Sequence, residues 1–117
     1  MRGVRAGRLE VTAISLATYP WVQEDYALLP HGASIGTGYG PVLVARERLG
    51  LDDLEGREIV VPGAKTTAFM TLRLVLGDFA YRELPFEQIP DEIASGRADV
   101  GLLIHEGQLT FADLGLQ

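Results

Sequence analysis

The sequence contains no cysteine, which removes disulfides, thiolate nucleophiles and zinc–thiolate sites together. It has only two histidines, His31 and His105. They lie far apart, with no H-x-x-x-H spacing and no carboxylate cluster beside them, so no metal site is expected. Positive charge is also scarce: 10 Lys and Arg stand against 16 Asp and Glu, a formal net charge of −6. With no basic cluster to neutralise phosphates, nucleic acid is excluded as a partner. No apolar run approaches the roughly 20 residues of a membrane helix. Arg2 and Arg5 precede a partly apolar stretch, but Glu10 interrupts it and no clean cleavage site follows. The expectation is a soluble, untargeted, cytoplasmic protein with no membrane contact.

What is present fits one α/β domain. A chain of 117 residues with 47% hydrophobic content is long enough to bury a core. Its most informative stretch is Gly96-Arg97-Ala98-Asp99-Val100-Gly101-Leu102-Leu103-Ile104-His105-Glu106, an apolar run of strand length that stops at a histidine. Gly7-Arg8-Leu9-Glu10-Val11-Thr12-Ala13-Ile14-Ser15 resembles its front half and ends in a serine. We expect Ser15 and His105 to face one cleft. The Gly-Arg-acid-Val element normally follows a helix, yet only a few residues precede its first copy, so the chain reads as an internal piece of a longer protein.

Strands are predicted over Leu9–Ile14, Tyr26–Leu29, Pro41–Ala45, Glu58–Val61, Tyr81–Leu84, the run before His105 and, at the tail, Leu109–Phe111. A short helix is predicted from Ser15 to Gln23, irregular near Pro20. A turn is expected at Leu51–Gly56, its acidic residues at the surface. Phe69, Leu72, Leu76 and Phe79, with Val75 beside them, mark an amphipathic helix entered through Thr66 as N-cap. Phe86–Ser95 reads as another helix, regular from Pro90, with Ile89 and Ile93 inward and Glu87, Asp91 and Glu92 outward. Alternating strands and helices imply parallel β-α-β units.

Gly36-Thr37-Gly38-Tyr39-Gly40 superficially matches a dinucleotide-binding loop. Such a loop must follow a strand and open a helix that holds the pyrophosphate. These glycines open a strand instead, so no dinucleotide cofactor is expected. A Ser-His-Asp hydrolase is disfavoured because the G-x-S-x-G elbow is missing.

In parallel sheets ligands bind outside the carboxyl ends of the strands, which brings Ser15, Thr66, Thr67 and His105 forward together. Histidine suits proton transfer near neutrality, and its alternative reading is a core-edge residue bonded to a carbonyl. Glu106 would orient it only through a turn, since adjacent extended residues point apart. Thr66 and Thr67 are helix caps on the simpler reading. On the functional one, they add hydroxyls to free helix N–H groups that attract a carboxylate or phosphate, with Lys65 either contributing charge or solvated. Ser15 is most simply an N-cap. Tyr19, Trp21 and Tyr26 read as packing residues.

Thr12-Ala13-Ile14-Ser15, Gly38-Tyr39-Gly40-Pro41-Val42-Leu43-Val44-Ala45, Val61-Pro62-Gly63 with Thr66-Thr67-Ala68, and Gly101 to Glu106 together resemble the 1,4-dihydroxy-6-naphthoate synthase family, in order and along nearly the whole chain. The resemblance implies an α/β, type II periplasmic-binding-protein-like fold with substrate between two lobes. Here that fold would be incomplete: residues 1–39 a fragment of lobe one, residues 40–117 most of lobe two. It implies a carbon–carbon lyase of menaquinone biosynthesis, acting on cyclic dehypoxanthinyl futalosine without metal or organic cofactor. It makes His105 the proton-accepting base and Ala13, Ile14, Ser15, Thr66 and Thr67 the substrate-binding residues. Ala13 stands where the family's T-K-x-S segment carries lysine. The alternatives are a non-catalytic small-carboxylate binder of the same fold and the sister enzyme chorismate dehydratase. A strand at Leu9–Ile14 lacking its lobe-one neighbours would expose a sheet edge, so weak activity and homo-oligomer formation are expected.

Overall fold

The structure, a computed structural model, describes Val4 and residues 7–117. Four strands, β1 (Val42–Ala45), β2 (Ile59–Val61), β3 (Tyr81–Glu83) and β4 (Val100–Leu103), form one sheet in the order β1-β4-β2-β3. Strand β2 runs parallel to both β3 and β4, whereas β1 is antiparallel to β4. The predicted parallel β-α-β units are thus present at β2, β3 and β4, and the antiparallel β1 makes the sheet mixed. A strand's direction depends on its partner, and the apolar run of β1 carries no record of that.

Helix α1 (Thr67–Leu76) links β2 to β3, and α2 (Ile89–Ala94) links β3 to β4. The first connection moves outward by one strand and the second returns across β2. Right-handed crossovers in opposite directions must cover opposite faces. The core divides accordingly. Ile59, Val61, Val100 and Leu102 pack with Ala68, Phe69 and Leu72 of α1. Val60 and Leu103 pack on the other face with Ile89 and Ile93 of α2. Every residue of β2 and β4 is buried, because these central strands have a helix on each side.

Gly101 lets α2 sit close to β4. A Cβ added there would lie 2.6 Å from Ile89 Cγ2 and 3.0 Å from Ile93 Cγ1, inside van der Waals contact. The predicted helix at Phe86–Ser95 forms in two parts, a 3-10 turn at Phe86–Gln88 and then α2, with Pro90 in its first turn. Ile89 and Ile93 are inward as predicted. Glu92 is not simply outward: it accepts from Arg97 Nε and Arg82 Nη2, each at 2.8 Å. Arg82 also reaches Glu58 at 2.9 Å. Val75 is exposed instead of flanking the core, because the stripe of α1 is narrower than its apolar content.

Three predicted strands are absent. Residues 9–14 and 26–29 carry no sheet pairing, and Val11 keeps 74% of its surface exposed. An extended segment becomes a strand only with a ladder partner, and the described residues supply none. The tail at Leu109–Phe111 is helical instead: a short α3 (Gly107–Thr110) runs into a 3-10 turn at Phe111–Leu114. Gln117 then exchanges two 2.9 Å backbone hydrogen bonds with Ala45, covering part of β1. The predicted helix at Ser15–Gln23 is a 3-10 turn at Leu16–Trp21 containing Pro20, and Trp21 is 66% exposed instead of packed. The turn at Asp52–Leu54 forms as expected. Among the described residues no helix is long and apolar enough to cross a membrane.

Gly101→Ala is expected to destabilise the fold by about 1–3 kcal/mol through overpacking, read as a lower urea midpoint. Hydrogen bonds from Arg97 and then Arg82 hold the Glu92 carboxyl below its ordinary value of 4.5. The stability Glu92 contributes is thus fully present above that value and lost as pH falls through the depressed one. Glu92→Gln should lower the neutral-pH urea midpoint, with the difference from wild type closing under acid conditions; a constant difference across pH would refute this linkage.

Candidate functional site

Parallel neighbours end on the same side of a sheet, so the chain leaving β2 and the chain leaving β4 emerge together. After β2 it turns into α1 on one face. After β4, Phe111 and Leu116 pack on the opposite face. Neighbouring strands whose continuations diverge in this way leave a crevice between them, the usual ligand position in open α/β sheets. Thr66 and Thr67 follow β2 and His105 follows β4, so all three stand on this side of the sheet.

After β2 comes a set of interlocking hydrogen bonds. Thr66 caps α1, its Oγ1 accepting from Phe69 N–H at 3.1 Å and donating to the Gly63 carbonyl at 2.8 Å. The predicted cap is therefore the one observed. Ser15 does not cap its own 3-10 turn. Its Oγ instead accepts from Thr67 N–H at 2.7 Å and lies 2.7 Å from Thr67 Oγ1. Ala17 N–H donates to Thr67 Oγ1 at 3.3 Å, and the buried Thr18 hydroxyl donates to the Lys65 carbonyl at 3.0 Å. The segment after Ile14 is thus fastened to the start of α1. Ile14 and Ser15 are half-buried, while Ala13 and the Lys65 side chain are exposed.

A proton count shows what this arrangement can offer. Each hydroxyl has one proton and two lone pairs. Ser15 Oγ accepts from Thr67 N–H, Thr67 Oγ1 accepts from Ala17 N–H, and one hydroxyl donates to the other. Whichever of the two donates, one hydroxyl proton and one lone pair remain. The pair therefore keeps one unengaged hydroxyl proton beside a helix N-terminus, a setting that favours an anionic oxygen.

After β4 comes a sharp turn. His105 has φ of 54°, the left-handed region, which costs a non-glycine residue about 1–3 kcal/mol. Gln108 N–H closes the turn on the His105 carbonyl at 3.3 Å. The imidazole is exposed, and its ring lies 5.0 Å from the Phe86 ring at an interplanar angle of 65°. Among the described residues no hydrogen bond joins His105 to Glu106, Ser15, Thr66 or Thr67. The sequence reading placed no residue after β3 at the site. Phe86, three residues past the end of β3, was missed because its phenyl ring reads as core material. Two surface cavities flank the described residues, one of them beside the segment bonded to the start of α1. That one, of about 310 Å³, is lined by Ala17, Ala64 and Lys65 together with Trp21, Met70 and Arg73. The other, of about 220 Å³, is lined by the ion-paired Arg46, Arg57 and Asp99.

Ser15→Ala and Thr67→Ala are each expected to cost about 1–2 kcal/mol in urea denaturation, because each leaves a half-buried N–H without its acceptor. The double variant should fall short of their sum by at least about 0.5 kcal/mol; strict additivity would show that the hydroxyls do not work together.

Comparison with known proteins agrees with this architecture. A crystal structure of an Archaeoglobus fulgidus protein superposes with a TM-score of 0.91 at 45% identity, covering 99% of this chain and 43% of that one. The ligand-binding component of an ABC-type import system from Staphylococcus aureus matches with a TM-score of 0.60 at 19% identity, covering 99% and 43%. An ancestral arginine-binding protein bound to glutamine gives 0.61 at 18%, covering 99% and 53%. These last two speak for the fold alone, which is the predicted periplasmic-binding-protein-like one, with this chain spanning about half or less of each. In sequence, the chain is 37% identical to a Streptomyces coelicolor protein and 39% identical to a Thermus thermophilus protein, both named 1,4-dihydroxy-6-naphtoate synthase. Each alignment covers 94% of this chain and 40% of the relative. The family pattern described as menaquinone biosynthesis matches residues 2–117, and on that match the chain belongs to the menaquinone biosynthesis family.

Proposed function

We propose that this chain carries part of a 1,4-dihydroxy-6-naphthoate synthase, a lyase converting cyclic dehypoxanthinyl futalosine to 1,4-dihydroxy-6-naphthoate, with a small molecule as substrate and His105 as general base. The observation that carries the reading is the 37% and 39% identity to two proteins of that name along 94% of this chain. The exposed position of His105 just after β4 supports it, because a base must keep its proton-accepting nitrogen accessible to substrate. The unengaged hydroxyl proton of the Ser15–Thr67 pair would bind a substrate oxygen, and Thr66 would keep the start of α1 in place. Ala13 and Ile14 would contribute backbone and apolar contact just before Ser15.

In this reading residues 1–39 belong to lobe one and residues 40–117 to lobe two. The confinement of all four strands to residues 42–103 supports the division. The Ser15–Thr67 hydrogen bonds would then join the lobes across the substrate site.

Product release from the cyclic substrate should be measured for this chain and for a version extended to the length of its relatives. The extended protein is expected to turn over and to lose activity by roughly 10²–10⁴-fold on His105→Ala. The 117-residue chain should be much weaker. An extended His105→Ala protein with undiminished turnover would remove the histidine from the chemistry.

A further inference from the structure

We infer that Phe86 is a positioning residue for the His105 imidazole, an inference that rests on the reading of His105 as a base and deepens it. The carboxyl ends of all three parallel strands supply this side of the sheet: Thr66 and Thr67 follow β2, Phe86 follows β3 and His105 follows β4. The phenyl and imidazole centroids are 5.0 Å apart at 65°, within the preferred tilted geometry of ring pairs. Phe86 still exposes 38% of its surface, so it is not simply filling the core.

One close approach and one ordinary packing contact set the segment of Phe86 against β4. Ile89 and Ile93 press on Gly101, where a Cβ would come within 3.0 Å of both. Gly107 faces Leu103 and Pro90, whose atoms would lie 3.7–3.9 Å from a Cβ there. The segment carrying Phe86 is thereby fixed against β4 on both sides of His105. Pro85, extended at φ −51° and ψ 133°, precedes Phe86, and Gln88 N–H closes a turn on its carbonyl at 2.9 Å. The left-handed backbone at His105 breaks the strand conformation at this residue. The phenyl ring packs against the imidazole, and on this inference that contact favours one imidazole rotamer. A base must hold its nitrogen in line with the proton it takes, and small misplacements cost large factors in rate.

The test is proton NMR of the intact chain, whose two histidines are told apart with His31→Gln. His105 should show ring-proton shifts displaced by the phenyl ring, cross-relaxation to Phe86 ring protons, and Hα–Hβ couplings of one χ1 rotamer. Phe86→Leu should abolish the displacement and average the couplings, while Phe86→Tyr preserves both. In the extended enzyme Phe86→Leu should lower kcat roughly tenfold or more with KM nearly unchanged, and Phe86→Tyr should restore it. His105 signals that are identical in wild type and Phe86→Leu, or altered equally by Leu and Tyr, overturn the proposal. If the NMR result holds but His105→Ala leaves turnover intact, the positioning stands and the lyase assignment of His105 fails.

Discussion

The fold depends on the missing side chain at Gly101. Strand β4 lies between β1 and β2 and is buried on both faces, so whatever it projects must leave room for a helix. At Gly101 it projects nothing, and α2 descends until Ile89 and Ile93 touch the backbone. That approach fixes the height of α2 over the sheet, and through it the relation between the end of β3 and the end of β4. The core on this face, including Val60, Leu103 and Leu116, closes around the same point. Interiors packed at crystal-like density do not absorb an extra methyl without moving their neighbours.

Much of the central architecture was legible in the chain. The apolar runs at β2 and β4, the cap at Thr66 and the stripe through Phe69 and Leu72 all express local periodicity and local hydrogen bonding, which a sequence displays directly. What escaped was decided by partners distant in sequence. Leu9–Ile14 has the composition of a strand but no ladder to join. The direction of β1 is set by β4, more than fifty residues later. Glu92 reads as a surface acid until Arg82 and Arg97 are brought to it.

The site divides along the same line. Thr66, Thr67 and His105 could be selected because each follows a strand, and the topology places them on one side of the sheet. Ser15 was selected from a pseudo-repeat whose first copy is not a strand, yet it does reach the start of α1. Its contact there is side chain to backbone across more than fifty residues, which no pattern of spacing encodes. Phe86 has no polar signature, and its meaning lies in the neighbour it meets.

The Ser15–Thr67 pair carries a consequence for affinity. Its hydroxyls are already bonded to each other, so a ligand that took both would have to break a hydrogen bond to make its own. Such an exchange returns only the difference between two similar interactions, and the closed pair acts as an internal competitor. A ligand that leaves the pair intact and accepts only its single unengaged proton incurs no such cost. The arrangement thus discriminates among ligands by how many bonds they demand, rewarding the one that asks for least.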